Sequence, residues 1–301
     1  MVDKHIDLNI HNYNIENKPN NISFLVFGDI HYSLSFDLNK LDKITSCIDY
    51  LNPTYLCLTG DIINKGNTWY NNKEYKEKLL SWLKYLSYNY KLFLTLGNHD
   101  IAKETFNSND INTKLWTYLS TLDNIYISHY NPFYIDDNVV IYQLELSQYY
   151  YFNKGNTEDA DYLITYLEEN NKYLTNLPKD KIKILMCHSP INITNSKVLK
   201  LIKEYDFIFT GHMHNGMMPL VLDKLVKNNI GIISPQRTLF PPLSRGVKEL
   251  SIIDNDHSIN LIINGGITKL QETSGFLKNF NFLYPMSIDE ININKVKKLK
   301  K

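Results

Sequence analysis

Five apolar runs in this chain each lead, within a few residues, to a side chain that can ligate a metal ion, and that repetition constrains the fold more than any other feature. Ile22–Phe27 runs into Gly28, Asp29, Ile30 and His31. Residues 54–59 run into Gly60 and Asp61, and residues 92–96 into Gly97, Asn98, His99 and Asp100. Ile182–Cys187 is followed by His188, and residues 207–209 by Gly211, His212, Met213 and His214. Short apolar, β-branched runs that stop at glycine read as buried strands. Between the first three lie helical periods: Leu38, Leu41, Ile44, Ile48 and Leu51 before Pro53, then Leu79, Leu80, Leu83 and Leu86 within residues 72–89. Strand, helix, strand, helix, strand is the pattern of a parallel sheet. Ligands and catalytic groups gather at the carboxyl edge of such a sheet. One Gly-Asp pair closes many ordinary loops, but five strand ends carrying only carboxylate, imidazole and carboxamide are not the product of turn preferences.

The remaining segments extend this α/β reading. Residues 5–15 alternate weakly before Pro19 and a cluster of Asn, which predicts a lead-in hairpin over 1–21. Helices are expected over 111–122, 158–174 and 195–204, and strands over 125–127, 133–135, 139–146, 230–233, 249–253 and 259–263. Asn and Asp-Asp pairs between the middle strands suit antiparallel turns. With no internal repeat and no low-complexity linker, the 301 residues are expected to form a single domain. Residues 286–301 are expected to be a polar, basic tail, with a membrane surface as its alternative partner to solvent.

Lys plus Arg and Asp plus Glu are each 32, so no net field draws in nucleic acid or an anionic membrane. The three cysteines, Cys47, Cys57 and Cys187, lie in apolar segments and fit reduced core thiols rather than a disulfide framework. The amino terminus lacks the positive start and apolar run of a signal peptide, and no window reaches the ~18 apolar residues of a membrane span. A cytoplasmic protein is the expectation.

Side chains two apart in an extended segment face the same way, so Asp29 with His31, and His212 with His214, can each grip one ion. Oxygen and nitrogen donors without thiolate favour Mn, Fe or Zn over Mg or Ca. Asp29 and Asp61 are the only carboxylates among the five strand-end ligand sets, so two dications there keep residual positive charge, which suits a phosphate.

The series GDIH, GDIIN, GNHD, the lone His188 in ILMCHSP, and GHMH is similar to the five-block pattern of the calcineurin-like metallophosphoesterases. The resemblance spans residues 28–214. It implies a four-layer α/β/β/α sandwich, with two mixed sheets face to face and helices outside. It also implies that Asp29, His31, Asp61 and His214 bind one metal ion and Asp61, Asn98, His188 and His212 the other, with Asp61 shared. His99 then assists from outside the metal shell, since an alkoxide leaving group needs a proton, and Asp100 is expected to orient its ring. The implied reaction is hydrolysis of a phosphomonoester or phosphodiester by in-line attack of a metal-bridging hydroxide. A non-catalytic scaffold on the same fold and a nucleotide or nucleic-acid phosphodiesterase are the alternatives. The departure from the family pattern is Asn215, where a second Gly is common.

Around these blocks, Arg237 and Arg245 are the only arginines, and a guanidinium fork suits a phosphate or another anionic group of a small phosphorylated substrate, with a salt bridge as the competing role. Tyr32 and Asn215 adjoin ligand motifs and are candidates for the pocket wall. His5, His11, His129 and His257 match no block and are read as surface or turn residues.

Overall fold

The computed structural model describes residues 2–16, 21–64, 68–101, 111–147, 150–151, 160–191, 193, 195–226, 228–235, 237–252, 257–269 and 283–296. Two mixed six-stranded sheets form its centre. The first contains β1 (Ile6–Glu16), β2 (Ile22–Phe27), β3 (Tyr55–Leu58), β4 (Lys91–Leu94), β5 (Ile125–Ile127) and β12 (Met286–Val296), in the order β1-β12-β2-β3-β4-β5. The second contains β6 (Phe133–Ile135), β7 (Val139–Leu144), β8 (Ile182–Cys187), β9 (Phe207–Thr210), β10 (Gly246–Ser251) and β11 (Ser258–Ile263), in the order β10-β11-β9-β8-β7-β6. Strands β2 to β5 are parallel, as are β7, β8, β9 and β11, so each sheet presents one carboxyl edge.

Alternate side chains of each strand serve different layers, as the period of two demands. Phe24, Val26, Tyr55, Cys57 and Phe93 from the first sheet meet Ile141, Ile184, Met186, Phe207 and Phe209 from the second in one dry core. Phe24 and Phe209 touch edge to face across it at 5.8 Å. Leu25, Phe27, Leu56 and Leu58 face the other way, against the helices α1 (Asn39–Leu51) and α3 (Lys73–Asn89), which follow the short α2 (Thr68–Asn71). Helix α1 buries Leu41, Ile44, Cys47 and Ile48 and stops at Asn52, whose left-handed backbone returns its N–H to the Ile48 carbonyl ahead of Pro53. Asn72 caps α3 by accepting from the Tyr75 N–H. On the far side, α4 (Ile111–Leu119) adds Leu115, Trp116 and Leu119 to the first helical layer, while α5 (Ala160–Glu169) and α6 (Ser196–Leu201) cover the second sheet through Leu163, Leu167 and Val198. The layers are α/β/β/α.

Three expectations are corrected. Residues 6–16 are not a hairpin: β1 is a single strand paired in parallel with β12, Ile6 opposite Met286 through Glu16 opposite Val296. Residues 286–296 are accordingly not a tail but β12, wedged between β1 and β2; residues 297–301 lie outside the described residues. Residues 230–233 form no strand, because Gly231 packs its Cα against Gly216 and the Ile232 and Ile233 N–H groups both turn to the Gly216 carbonyl. All three cysteines are free and buried. No described helix is long and apolar enough to cross a membrane.

Candidate metal centre

The carboxyl edges of both sheets meet, and the loops leaving β2, β3, β4, β8 and β9 bring their polar side chains together there. Asp29, Asp61, His188 and His212 are almost wholly buried. His31 Nε2 lies 3.3 Å from His214 Nε2, 3.9 Å from Asp29 Oδ1 and 3.7 Å from Asp61 Oδ2. Asp61 Oδ2 is also 3.2 Å from His188 Nε2, which in turn is 3.1 Å from His212 Nδ1. Potential ligand atoms of Asp29, His31 and His214 thus form one compact group, those of Asp61, His188 and His212 a second, and those of His31, Asp61 and His99 a third that overlaps the first two. Asn98 stands in the loop after β4 with its amide oxygen buried.

Pairwise convergence does not arise from strand alternation. Asp29, His31, Asp61, His212 and His214 all have left-handed backbones, φ between 46° and 68°, a region that L-residues enter at a cost of ~1–2 kcal/mol each. Such strain persists only where the surroundings over-determine it, and it concentrates at functional sites. The surroundings here are specific: Asp29 N–H binds the Gly60 carbonyl at 2.8 Å and His31 N–H the Asp61 carbonyl at 2.9 Å. Gly60, at φ 102°, is needed because a Cβ there would come within 2.6 Å of His188 Nδ1. At Gly97 a Cβ would collide with the Asp61 carboxylate.

Backbone carbonyls fix the imidazoles. His188 Nδ1 donates to the Thr59 carbonyl and His214 Nδ1 to the Thr268 carbonyl, each at 2.7 Å. In both rings Nε2 is therefore the atom aimed inward. Thr268 belongs to a strap, residues 264–269, that leaves β11 and crosses to the first sheet, where Ile267 N–H binds the Gly28 carbonyl and Thr268 N–H the Asp29 carbonyl, both at 2.9 Å. Asp29 Oδ2 accepts the His212 N–H, but Asp29 Oδ1 accepts no hydrogen bond among the described residues. Asp29 Oδ1 is thus a buried acceptor that a bound cation would satisfy.

The charges respond accordingly. Burial raises the Asp29 carboxyl; it would raise Asp61 too, but the His188 imidazole beside Asp61 prevails and holds that carboxyl well below the usual range. Burial opposes protonation of His188, yet the Asp61 carboxylate lifts it to about 9. His31 and His212 are pushed well down, chiefly by burial.

His99 lies at the rim, its ring edge-on to His31 at 4.7 Å and its N–H donating to Asp61 Oδ1 at 2.8 Å. The expectation that Asp100 orients this ring is corrected. Both Asp100 oxygens accept backbone N–H groups, Oδ1 from Ile63 and Oδ2 from Gly97, while His99 Nδ1 lies 2.8 Å from Asn64 Oδ1. Asp100 is buried, which pushes its carboxyl up to about 8, with the Asp61 charge adding to the shift. It shapes the loop rather than the ring. Asn64 carried no signal beyond its place at the end of GDIIN.

A cavity of about 320 Å³ opens on His31, His99 and His214 and is walled by Met217, Ile233, Ser234, Pro235, Thr268 and Lys269. Arg237 is exposed and absent from this lining. Arg245 is buried in an ion pair with Asp223, and its guanidinium also donates to the Ile230 and Val226 carbonyls. Tyr32 is buried against the Tyr75 carbonyl, and Asn215, at φ 57°, donates to Asp223. None of these four reaches the cavity. His11 and His257 are hydrogen-bonded to Asp289 and the Tyr205 carbonyl, and His5 to Asp3. Two contributors escaped the sequence reading: Lys269, and Tyr151, whose ring lies 5.3 Å from that of His212 with its hydroxyl buried.

Comparison with known proteins follows the same residues. No curated protein matches the chain. Among solved structures it is similar to a dimetal phosphatase from Danio rerio, at 9% identity and TM-score 0.43, over 83% of this chain and 89% of that one. The family model for calcineurin-like phosphoesterases matches residues 22–216, from the first residue of β2 to just past the His212 and His214 pair. With more than half of its length matched, and every block of ligand-bearing residues inside the match, the chain belongs to the calcineurin-like phosphoesterase family.

Proposed function

We propose that this protein is a metal-dependent phosphoesterase that hydrolyses phosphomonoesters or phosphodiesters. Asp29, His31, Asp61 and His214 would hold one ion and Asp61, Asn98, His188 and His212 the other, from among Mn, Fe and Zn. The observation that carries this reading is the tautomer pattern: His188 and His214 each spend Nδ1–H on a carbonyl, which turns Nε2 toward Asp61 Oδ2 and toward Asp29 Oδ1, an oxygen that accepts no hydrogen bond among the described residues. When bound, such ions lower the pKa of water and absorb charge on phosphoryl oxygens.

The remaining work falls to the chain itself. Asp61 places its two oxygens differently, Oδ2 toward the imidazoles and Oδ1 on the His99 N–H, so the carboxylate that joins the two ligand groups also sets the position of the proton donor. With Nδ1–H of His99 held by the Asn64 amide oxygen, Nε2 is the atom that gives a proton to the departing alkoxide. Burial of the cluster excludes bulk water and strengthens every electrostatic contact at the phosphoryl group. A small phosphorylated compound suits the cavity, and the balanced charge of 32 basic and 32 acidic residues argues for it over nucleic acid.

Hydrolysis of chromogenic phosphomonoesters and phosphodiesters by the manganese-loaded chain tests the reading. Turnover that chelator removes, manganese restores and Asp61→Ala abolishes is the expected result. A rate equal to buffer with metal bound, unchanged by Asp61→Ala, overturns it.

A further inference from the structure

The cavity beside the cluster contains a buried cation that phosphoester cleavage, as described, does not use. Lys269 ends the strap from β11 and is only 6% exposed. It follows Thr268, the residue whose carbonyl holds His214, so its stem starts one residue from the cluster, and it lines the same cavity as His31, His99 and His214. Among the described residues no carboxylate lies within ion-pair distance of its ammonium, and Asp7 and Asp289 act on it only through space. Burial lowers its pKa to about 8, which leaves it mostly charged at neutral pH. An ammonium taken out of water costs several kcal/mol unless something of opposite charge compensates it. Lys269 lines a cavity of about 320 Å³, within the ~300–1,000 Å³ of small-molecule sites. The compensating charge can therefore come from whatever enters.

We infer that Lys269 holds a second anionic group of the substrate, so that the pocket selects compounds with two anionic groups, the scissile phosphate at the aspartate–histidine cluster and another at the ammonium. Only the first of these two placements rests on the phosphoesterase reading. A lysine serves such a role as a point charge with three rotatable donors, so it accepts phosphate or carboxylate alike.

The test is calorimetric titration of pyrophosphate and of orthophosphate into the full chain, metal-free and manganese-loaded, with Lys269→Met and Lys269→Arg beside it. In the loaded protein pyrophosphate should bind about ten-fold or more tightly than orthophosphate, the scale of one charge-assisted contact. Lys269→Met should erase most of that preference while shifting orthophosphate by less than about two-fold, and Lys269→Arg should keep most of it. A higher melting temperature for Lys269→Met in anion-free buffer would show that the fold tolerates the change, because it removes an uncompensated buried charge. Equal losses for both anions in Lys269→Met, or no loss for either, would overturn the inference. A loaded protein that ignores orthophosphate, while metal-free protein still binds pyrophosphate through Lys269, would instead refute the phosphoesterase reading and leave this one standing.

Discussion

The carboxyl edge of the sandwich and its amino edge are built from the same strands, yet they treat polar groups in opposite ways. At the amino edge Asp136, in the turn between β6 and β7, accepts from the Tyr55 and Tyr134 hydroxyls, the Lys91 ammonium, and the Asn138 and Val139 N–H groups. The Asp136 and Lys91 charges have found each other within the chain, and the partners Tyr55 and Lys91 come from the opposite sheet. At the carboxyl edge the backbone is strained at five positions, and Asp29 Oδ1 is left without a hydrogen bond among the described residues while imidazoles crowd Asp61. One edge has spent its polarity on holding two sheets together; the other keeps its polarity for something that arrives from outside. Substitutions at the first should cost stability and spare turnover, and substitutions at the second should do the reverse.

The largest effect is expected at Asp61, whose Oδ2 lies beside both His31 and His188 and which is proposed to serve both ions. Asp61→Asn should remove both ions and all hydrolysis, whereas His212→Ala should remove one ion and leave the other, a difference that metal analysis of the purified variants measures. Equal metal content in the two variants would mean that Asp61 does not join the groups. At the rim, His99→Asn should lower kcat by about 10²–10⁴-fold, the range for a lost general acid, with metal content unchanged. Asn64→Leu should act in the same direction and more weakly, since it frees the ring without removing it. If His99→Asn lost metal as well, His99 would be a ligand and its place at the rim misassigned.

These two edges were not equally legible in the sequence. The carboxyl edge announced itself because its chemistry is concentrated in short blocks behind apolar runs, and Ile22–Phe27 and Ile182–Cys187 are strands with the bounds their composition implied. What the blocks could not show is how their side chains converge. Strand alternation was the natural guess for Asp29 with His31, but both residues sit in a left-handed backbone that non-glycine residues seldom adopt and that only neighbouring loops impose. Asn64 and the Thr268 carbonyl were equally invisible, because each acts through a contact far away in sequence. The place of β12 between β1 and β2 has the same cause: strand pairing across some 280 residues leaves no local mark, so a charged, alternating C-terminal stretch looks like a tail. Arg245 misled in the other direction. A guanidinium near a ligand motif resembles an anion site, and here it pairs with Asp223 to pin the segment carrying α7 (Leu220–Leu225).

Between the edges lies the inter-sheet core, and its disruption should be felt at both. Phe209→Ala removes a fully buried ring that contacts Phe24 across the sheets, three residues before His212. A loss of about 3–5 kcal/mol is expected from the lost transfer energy and the cavity left behind, read from denaturant midpoints of the metal-free protein. Weaker metal binding should accompany it, because His188 and His212 ride on the second sheet and Asp61 on the first. Metal affinity that survived the full stability loss would show that the loops, not the sheets, set the site.

The smallest effect sharpens the contrast most. Burial alone would raise the Asp136 carboxyl, but Lys91, the two N–H groups of the turn and Tyr55 outweigh it and hold it well below the usual carboxylate range. The folded state thus binds its proton less readily than the unfolded chain. Its contribution is fully present above the unfolded value of about 3.9 and fades as pH falls through the depressed folded value. Asp136→Asn should cost roughly 1–3 kcal/mol near neutral pH, the scale of hydrogen bonds to a charged acceptor, and the gap to the native protein should narrow as pH drops below about 4. Turnover should not move, because the residue lies at the amino ends of β3, β4 and β7, a sheet's length from Asp61. A fall in kcat without a fall in stability would erase the distinction between the two edges, since polarity spent on holding the sheets would then also be setting the geometry of the site.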